Sequence, residues 1–493
     1  MRNPIDVVVG WFDPNAGLRR LRARDMLTRA YEGASRKDGW KPRRAGASAN
    51  TDHRADAQEL RNRARALVQN VPYCARGLQT LVSATIGTGI SPRSLAKQDA
   101  KKLDELWEQW VPQADADGIF DLYGLQAAAY RAMEQDGEVL IRLRPRRPSD
   151  GLAVPLQLQL LEIDWLDSGK QGTVRGGGRI INGIEYDALG KVSSYWLFDE
   201  HPGESLSFTG RGASRAVAAS SIIHLFAPSR PGQGRGVTRF APIIARARDL
   251  MLYEDADLQR KNLETRIGVL AVGDVSEMAN ATDPGGTADP ASAAVTGDLG
   301  ELPSGGITQL PSNLALTSFE PKSSPGFVET CKWSLHLQSA GFGVPYESMT
   351  GDMSEVNYSS ARIRQMEFRR DCEQTQWLVL IPRMCDPIWR AFVDAASLAG
   401  HVRRVDYAAD HSTPRWDYVN PQQDVTADLD AISGSLLTPS EALRRRGYKP
   451  DQVFREMGED FAKLKAAGAL DLMQLFRNAK PDPAAVKKPI ADT

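Results

Sequence analysis

The chain has 493 residues, enough for roughly two to four domains that each bury a sizeable core. Hydrophobic residues make up 42% and charged residues 25%, which is ordinary for a soluble globular protein and excludes disorder except locally. The formal net charge of -1 differs from the basic excess of proteins that clamp nucleic acid, whose affinity comes largely from neutralised phosphates.

The distribution of charge and cysteine sets further limits. Residues 1–70 hold fifteen Lys and Arg against eight Asp and Glu, which fits either a solvated arginine-rich helix or a functional basic surface. The four cysteines show no CxxC spacing and the histidines do not cluster with them, so we expect no zinc site, no disulfide framework and a reducing compartment. No apolar run is long enough for a signal peptide or a membrane span, which predicts assembly in a cytoplasm.

Helices dominate the beginning of the chain. Residues 53–90 predict a long helix that breaks near Pro72. Residues 97–111 predict an amphipathic helix, and residues 121–135 predict another that ends at Gly137. The predicted apolar face of the helix at 97–111 consists of Leu103, Leu106, Trp107 and Trp110.

From Glu138 the hydrophobic period changes to that of strands. Segments such as VLIRLR, PLQLQLLEIDWL and VSSYWLF alternate or run apolar, and glycines separate them. Residues 184–199 predict a hairpin through a Leu-Gly turn, and residues 220–226 predict one more strand. We therefore expect an antiparallel sheet module inside a largely helical protein.

A long helix is predicted at 242–266, after a loop rich in Pro, Gly and Arg. Residues 274–306 have the composition of a mobile loop, and residues 327–341 predict the next helix. The predicted inner face of the helix at 242–266 consists of Ile243, Ala247, Leu250, Met251 and Leu258.

Helix breakers interrupt residues 343–358. Asn357 or Ser359 is the predicted cap of a helix that continues to about residue 395 with a kink at Pro382. Near the end of the chain, Thr438 followed by Pro439 and Glu441 has the pattern of a helix start. Gly447 is predicted to end that helix, and Pro450 to open another.

No catalytic motif is present. The phosphate-binding loop, the HExxH motif and the GxSxG elbow are all missing. His224 lies in an apolar strand and is interpreted as a core histidine. A partial likeness to a calcium loop lacks the ligand order and the terminal Glu, so we interpret it as a solvated acidic turn. Its residues are Asp115, Asp117, Gly118 and Asp121.

One acidic group resembles a set of nuclease metal ligands. It consists of Glu162, Asp164 and Asp167. Strand alternation places Glu162 and Asp164 on one face, but no Lys or His partner follows at a useful spacing. A polar strand face is therefore the preferred interpretation, and we expect no metal and no cofactor.

Two segments are specific enough to indicate a family. The first runs over 224–237 and the second over 343–370. Both resemble signature stretches of the lambda-type portal proteins of tailed bacteriophages, and weaker likenesses in the same order extend the resemblance over about residues 20–460. The family-signature loop consists of Arg230, Pro231, Gly232, Gln233, Arg235 and Gly236.

The resemblance implies an α+β portal-protein fold, with an α/β wing, long stem helices, a loop-rich clip and a helical crown, assembled as a ring of usually twelve copies. It implies a position at one capsid vertex of the virion, after assembly in the host cytoplasm. The implied partners are double-stranded DNA passing through the channel, the terminase large subunit, head–tail connector proteins, and capsid and scaffold proteins. It implies no membrane and no enzymatic activity.

The chain order of the family assigns a region to each segment. These regions are the wing at 1–235, the first stem helix at 236–266, the clip at 267–326, the second stem helix at 327–345, the tunnel loop at 346–358, a kinked helix and return to the wing at 359–435, the crown at 436–480 and a disordered tail at 481–493.

The tunnel loop is the predicted lining of the channel, and we expect few packed contacts to hold it. Its candidate residues are Tyr346, Gly351, Asp352, Met353, Ser354, Asn357 and Tyr358. Arg362 and Arg369 lie seven residues apart on one face of the following helix and are predicted to meet DNA or a neighbouring subunit. Solvated arginines at a simple helix–loop–helix joint remain the alternative.

Two other protein classes stay open at this point. A head-completion or capsid-associated protein would share the virion context but lack a channel and long paired stem helices. A metal-dependent nuclease would need only unremarkable acidic residues.

Overall fold

The computed structural model describes most of the chain between residues 46 and 467. The described residues are 11–13, 46–204, 213–266, 270–272, 315–317, 326–354, 356–414, 416, 421–445, 448 and 450–467. The chain divides into two compact units, Met1–Asp52 and His53–Thr493, and the side-chain contacts below all lie within the second. The predicted mobile loop and the predicted disordered tail lie outside the described residues, as does most of the predicted clip.

The first helices form where the sequence predicts them. They are α1 (Ala49–Asn70), α2 (Pro72–Thr85), α3 (Ala100–Trp110) and α4 (Leu122–Asp136). Pro72 opens α2, a position at which the missing proline amide would have no helical partner. Asp121 caps α4 by accepting a hydrogen bond from the Gly124 amide at 2.7 Å, and Gly137 ends it with a φ of 95°. The break at Pro72 and the end at Gly137 are thus confirmed.

The described strand pairs are all antiparallel. In chain order the strands are β1 (Ser91–Ser94), β2 (Glu138–Pro145), β3 (Leu156–Leu161), β4 (Gly172–Val174), β5 (Gly178–Ile181), β6 (Ile184–Tyr186), β7 (Val192–Leu197), β8 (Arg215–Ala218), β9 (Ile222–Phe226), β10 (Leu270–Val272), β11 (Ala315–Thr317) and β12 (Ala409–Ser412).

These strands build two larger sheets and two isolated pairs. One sheet has the order β3-β2-β9, the other the order β4-β5-β6-β7-β8, and the pairs are β1-β12 and β10-β11. The predicted hairpin at 184–199 is confirmed as β6 and β7. The predicted antiparallel module is present, but as two sheets, because the chain leaves the first sheet after β3 and returns to it only at β9.

Two long helices run side by side in opposite directions. They are α5 (Ile244–Arg266) and α6 (Phe327–Phe342), which confirm the helices predicted at 242–266 and 327–341. Just before α5 the ring of Phe240 lies 4.7 Å from that of Phe342 at the end of α6, and in the middle of α5 Tyr253 stacks on Phe327 at the start of α6 at 5.2 Å. We call this pair the helical hairpin.

The predicted inner face of α5 is only partly right. Ile243, Ala247 and Leu250 are buried, but Leu258 is 59% exposed. Asp257 takes the buried position instead, and its carboxylate lies 2.5 Å from Nη2 of Arg260. An ion pair within the helix therefore replaces the apolar contact expected there.

A chain of helical segments follows the hairpin. It comprises α7 (Tyr346–Thr350), α8 (Tyr358–Thr375), a π-helix (Gln376–Cys385) and α9 (Asp386–Leu398). Asn357 caps α8 by accepting a hydrogen bond from the Ser360 amide at 2.8 Å, which decides between the two predicted caps. The irregularity expected at Pro382 takes the form of a ten-residue π-helix that contains this proline, which has no amide to donate to the helix.

The C-terminal described segments are α10 (Pro421–Ser433), α11 (Pro439–Arg445) and α12 (Pro450–Ala466). Thr438 caps α11 by accepting a hydrogen bond from the Glu441 amide at 3.1 Å, and Pro450 opens α12, as predicted. Gly447 lies outside the described residues. Within the described part of the chain, no helix combines the length and apolar content needed to cross a bilayer.

Two apolar cores hold these elements together. The larger packs helices against one face of the β3-β2-β9 sheet, and its aromatic centre is a group of contacting rings with centroids 4.9 to 5.5 Å apart: Trp107, Trp110, Trp389 and Phe392. The smaller core lies between the two sheets and includes Leu140, Leu161, Ile184, Tyr195 and Leu197. All four residues of the predicted α3 face are buried, which confirms that helix as amphipathic.

Candidate functional site

The family-signature loop ends inside the molecule, at a buried ion pair. Arg235 is 1% exposed, and its Nε donates to both carboxylate oxygens of Glu138 at 2.9 and 2.8 Å. Its Nη1 donates to the Asn182 carbonyl at 2.8 Å and to Ser168 Oγ at 3.2 Å. The Gly236 amide also donates to Glu138, at 2.9 Å. The loop is thereby fixed to the first residue of β2 and to the five-stranded sheet.

Two histidines complete the surroundings of Glu138. His224 Nε2 lies 2.9 Å from one carboxylate oxygen, and His53 Nε2 lies 3.4 Å from the other. Burial opposes ionisation of Glu138, but Arg235 and then the histidine hydrogen bonds outweigh it and hold its pKa well below the ordinary range. Burial lowers the pKa of His224, so this ring is neutral near pH 7. His224 therefore has a hydrogen-bond partner, in line with its interpretation as a core histidine.

Glycines beside this cluster allow two backbone segments to touch. A Cβ on Gly236 would lie 1.9 Å from the Gly137 carbonyl oxygen, and a Cβ on Gly137 would lie 2.6 Å from the Thr238 amide nitrogen. A side chain at either position is sterically excluded. The Gly137-Glu138 and Arg235-Gly236 dipeptides thus form one joint, with the glycines providing the close approach and the charged residues the ion pair.

The remaining signature residues shape the exposed part of the loop. Gln233 Oε1 accepts hydrogen bonds from the amides of Ser229 and Arg230 at 2.9 and 3.1 Å, and its Nε2 donates to the Arg235 carbonyl at 2.6 Å. Gly232 has a φ of 76° in the turn after Pro231. Sequence reasoning selected these residues, and Glu138 as weaker support for the resemblance, but it did not predict that Glu138 is the partner of Arg235.

A second ion cluster joins α1 to the loop after β3. Arg65 donates to Asp136 at 3.0 and 2.5 Å and to Asp164 at 2.7 Å, and Arg61 donates to Asp164 at 2.6 Å. Burial works against ionisation of Asp164, but Arg61 and Arg65 outweigh it and lower its pKa. The two guanidiniums of this cluster thus balance the charges of the Asp136 and Asp164 carboxylates.

The expected strand placement of Glu162 and Asp164 is wrong. Strand β3 ends at Leu161, and a 3₁₀ turn over Ile163–Trp165 follows, so strand alternation does not apply. Asp167 does not belong to the group of close ligand atoms that contains Glu162 and Asp164. Its carboxylate accepts a hydrogen bond from Ser214 Oγ at 2.6 Å.

The structure does bring a histidine to this acidic group, which the sequence did not suggest. Ligand atoms of Glu162, Asp164 and His201 lie within 4.8 Å of one another, an arrangement that can hold a metal ion. Arg65 Nη2, however, lies 3.3 Å from Glu162 and 2.7 Å from Asp164. A guanidinium already neutralises these carboxylates, so the residues fit an ion-pair network better than a divalent cation.

In the partial calcium loop, the carboxylates accept hydrogen bonds from backbone amides. The Asp115 carboxylate accepts hydrogen bonds from the amides of Asp117, Ile119 and Phe120 at 3.1, 2.9 and 3.0 Å. Asp121 is the cap of α4. The oxygens of both residues thus organise an acidic turn, but Asp115 is only 5% exposed, so the expectation of a solvated turn is wrong for this residue.

The predicted tunnel loop is more ordered than its sequence suggested. Residues Tyr346–Thr350 form α7, which packs on α2 with Met349 and Glu347 buried. Pro345 before this helix and Gly351 after it, with a φ of 79°, limit it to five residues. The expectation of few packed contacts is therefore wrong for this half of the segment.

The second half of the segment is organised by Asp352. Its carboxylate accepts hydrogen bonds from the Ser354 amide at 3.0 Å and from the Tyr346 hydroxyl at 3.1 Å, and Lys332 of α6 lies 3.7 Å away. The hydrogen bonds from Ser354 lower the pKa of Asp352 to about 2. The turn exposes 65% of Met353. The side chain of Tyr358 lies outside the described residues.

The predicted contact arginines lie along α8. The Arg369 guanidinium is half-buried, 5.3 Å from the centre of the Trp416 ring, and Arg362 is also half-buried. Arg364 forms an ion pair with Glu347 of α7, so it binds its own chain. Their predicted contacts with DNA or a neighbouring subunit stay predictions.

Comparison with known proteins gives the chain its class. A profile described as phage portal protein, lambda family, matches residues 33–376, which include both ion clusters, the helical hairpin and the tunnel segment. The "Probable portal protein" of Halomonas phage phiHAP-1 is 26% identical over 472 residues, covering 91% of this chain and 89% of that protein. The chain belongs to the lambda family of phage portal proteins, as the resemblance implied.

Solved structures add likenesses at lower identity. A chain from the neck of a native GTA particle computed with C12 symmetry is 16% identical, with 78% of this chain and 93% of that chain covered and a TM-score of 0.43. The crystal structure of an HK97-family portal protein from Corynebacterium diphtheriae is 13% identical, with coverage of 62% and 85% and a TM-score of 0.32. The family assignment rests on the sequence matches.

Proposed function

We propose that copies of this chain form the portal ring at one capsid vertex of a tailed phage virion, with DNA entering and leaving through its central channel. Membership of the lambda portal family supports this function. In this proposal the ring has twelve subunits, and its partners are the terminase large subunit during packaging, head–tail connector proteins afterwards, and capsid and scaffold proteins around it. The chain acts as a conduit and docking hub rather than an enzyme.

The observation that carries the proposal is the surface of the helical hairpin. Several large apolar side chains on it are between 41% and 59% exposed: Leu252, Leu258, Val328, Trp333 and Leu337. A water-soluble monomer rarely exposes so many on one element, and a neighbouring copy in a ring would cover them. The hairpin is the segment assigned to the stem.

A second exposed stripe supports contact between copies. On α8 and the π-helix, the exposed apolar residues are Ile363, Met366, Trp377 and Leu378. In a ring with head-to-tail contacts, two different surfaces of each subunit meet, and in this proposal the hairpin supplies one of them and α8 with the π-helix the other. The two ion clusters serve the proposed function indirectly, by fixing α1 and both sheets as one rigid wing.

Native mass spectrometry tests the ring, because twelve copies of the 54.1 kDa chain weigh about 650 kDa. We expect this species for the wild type, and electron microscopy should show a ring with a central hole. Trp333→Glu combined with Leu337→Glu should shift the mass to small species, because charges on the hairpin cannot be buried between neighbours.

Leu189→Glu is the matched control, because Leu189 is 94% exposed in the turn between β6 and β7. It should leave the assembly unchanged. A wild-type chain that stays monomeric or dimeric at all concentrations would contradict the proposal. A closed particle without a hole would favour a head-completion protein.

A further inference from the structure

Three arginines follow one another along β2 with a period of two. Arg142, Arg144 and Arg146 occupy alternate positions from the middle of the strand to just beyond its end. Alternate residues of a strand share a face and lie about 6.6 to 6.8 Å apart. We call these three residues the arginine row.

The arginine row has neutral partners. Arg144 donates through Nε and Nη2 to Gln159 Oε1 at 3.0 and 2.5 Å, and Arg146 donates through Nε to Gln157 Oε1 at 2.9 Å. Both glutamines belong to β3. Within the described residues, no carboxylate forms an ion pair with any of the three guanidiniums.

The positive charges of the row therefore repel one another. Burial, together with the charges of Arg144 and Arg215, lowers the pKa of Arg142, and only Asp199 acts in the opposite direction. Asp199 itself pairs with Arg215, at 2.5 Å. The face carries an excess of positive charge that an anionic partner would neutralise.

This arrangement contrasts with that of three other arginines of the fold. Arg61, Arg65 and Arg235 each contact at least one carboxylate within hydrogen-bond distance. Arg383 is half-buried and also has a neutral partner, since it donates to the Phe226 carbonyl at 3.3 Å. The row differs from Arg383 in placing three guanidiniums at strand spacing on one face, so an anionic partner could pair with all three at once.

An apolar turn adjoins the row. The Asp115 carboxylate fixes the turn through three amides, and Asp117 Oδ1 accepts a hydrogen bond from Gln159 Nε2 at 3.3 Å. The turn holds Ile119 and Phe120 in the solvent, 74% and 45% exposed. Through Asp117 and Gln159 the turn connects directly to the partner of Arg144.

We propose that the arginine row binds an extended, acidic segment of a partner protein, with an apolar residue of that segment on Ile119 and Phe120. Carboxylates at alternate positions of an extended strand repeat at the same spacing as the guanidiniums, so each can pair with one. A phosphate backbone would match the charge but would leave the rigidly held apolar side chains without a role. The proposal goes beyond the portal function and does not depend on the ring.

Fluorescence anisotropy with the full-length chain tests this directly. One labelled probe is a peptide of about 12 residues that alternates Glu and Val, which is acidic and favours an extended conformation. The other is a labelled DNA duplex of about 20 base pairs. We expect the wild type to bind the peptide and the triple substitution Arg142→Gln, Arg144→Gln, Arg146→Gln to weaken binding at least about tenfold.

Two control variants and one replacement variant distinguish an effect of the arginine row from a general loss of positive charge or a failure to fold. Arg63→Gln removes an exposed arginine of α1 that pairs with Glu59, and it should leave peptide binding unchanged. Ile119→Ser with Phe120→Ser should weaken peptide binding while keeping the row intact. If the triple variant fails to fold, as judged by circular dichroism, Arg146→Gln alone replaces it, because Arg146 is exposed.

Each contrary result overturns the proposal in a recognisable way. Equal peptide binding by the wild type and the substituted row would show that the row is not the site. Binding of the duplex but not the peptide, lost on substitution of the row, would assign the face to nucleic acid instead. Absence of binding to both probes would also reject the proposed recognition. None of these outcomes bears on ring assembly, which native mass spectrometry measures separately.

Discussion

The charged groups of the ion clusters around Glu138 and Asp164 find their partners within one chain, whereas the helical hairpin leaves apolar side chains that its own chain does not cover. In the clusters every buried carboxylate has an arginine partner, and the glycines beside them let the backbones touch. The hairpin buries one face of α5 and α6 and leaves apolar side chains such as Trp333 exposed. Changes in the clusters should therefore affect the stability of each subunit, and changes on the exposed hairpin should affect assembly.

The largest expected effect is on the cluster of the signature loop. Glu138→Gln keeps the shape of the side chain but leaves Arg235 buried without a carboxylate. Removing one partner of a buried ion pair costs about 3–5 kcal/mol in the free energy of unfolding. Urea denaturation followed by circular dichroism measures this loss.

The exposed pair of Arg63 and Glu59 in α1 is the control for that experiment. Glu59→Gln should change the free energy of unfolding by at most about 1 kcal/mol, because surface ion pairs are weak. Comparable losses for Glu138→Gln and Glu59→Gln would contradict the view that the signature loop is held by a buried charge.

A smaller effect is expected where the two hairpin helices cross. A Cβ on Gly341 would lie 2.7 Å from Cγ2 of the buried Ile243, so Gly341→Ala should force the helices apart and cost about 1–3 kcal/mol. Gly458 of α12 has no atom within 4 Å of the same position, and Gly458→Ala should stabilise its helix by about 0.5–1 kcal/mol. Thermal unfolding of both variants should show shifts of opposite sign, and a stabilising Gly341→Ala would contradict the close crossing.

Acid should weaken the subunit in two stages. Burial lowers the pKa values of His224 and His411, so below about pH 6.5 the unfolded chain takes up protons that the folded chain does not, and stability falls. The pKa values of Glu138 and Asp164 are also lowered, so their contribution is present above about pH 4 and is lost as the pH falls further. Urea midpoints measured from about pH 8 to pH 3 should fall in this order, and a flat profile down to pH 4 would contradict the first stage.

The sequence predicted local features of the fold well and distant pairings poorly. Helix ends at Gly137 and Thr438 depend on neighbouring residues, and their caps were predicted from the chain itself. The bond from Arg235 to Glu138 joins positions 97 residues apart, which no local pattern reveals. The burial of Asp257 in place of Leu258 has a similar cause, since the partners of α5 come from distant parts of the chain.

In the candidate site, too, the sequence predicted which segments matter but not how distant residues pack together. The signature residues and the tunnel segment were selected by resemblance, but the sequence did not predict that half of the tunnel segment forms a packed helix. A helix as short as Tyr346–Thr350 is too brief for a hydrophobic period, and only Pro345 and Gly351 mark its ends. Likewise, the approach of His201 to Glu162 depends on the packing of two sheets.

The smallest expected effect on the subunit, and the one that tests the channel, concerns residues Gly351–Ser354. Deleting them removes the hydrogen bonds of the half-buried Asp352 but keeps α7, the contact of Met349 with the core and the Asn357 cap. We expect little change in the free energy of unfolding and intact rings by native mass spectrometry, because few buried atoms are lost. If this turn lines the channel, the amount of nuclease-protected DNA per particle should fall.

Asp352→Asn is the matched control, since it keeps the length of the turn while removing its charge. Loss of rings on deletion, or DNA packaging at the wild-type yield, would show that the segment does not line the channel.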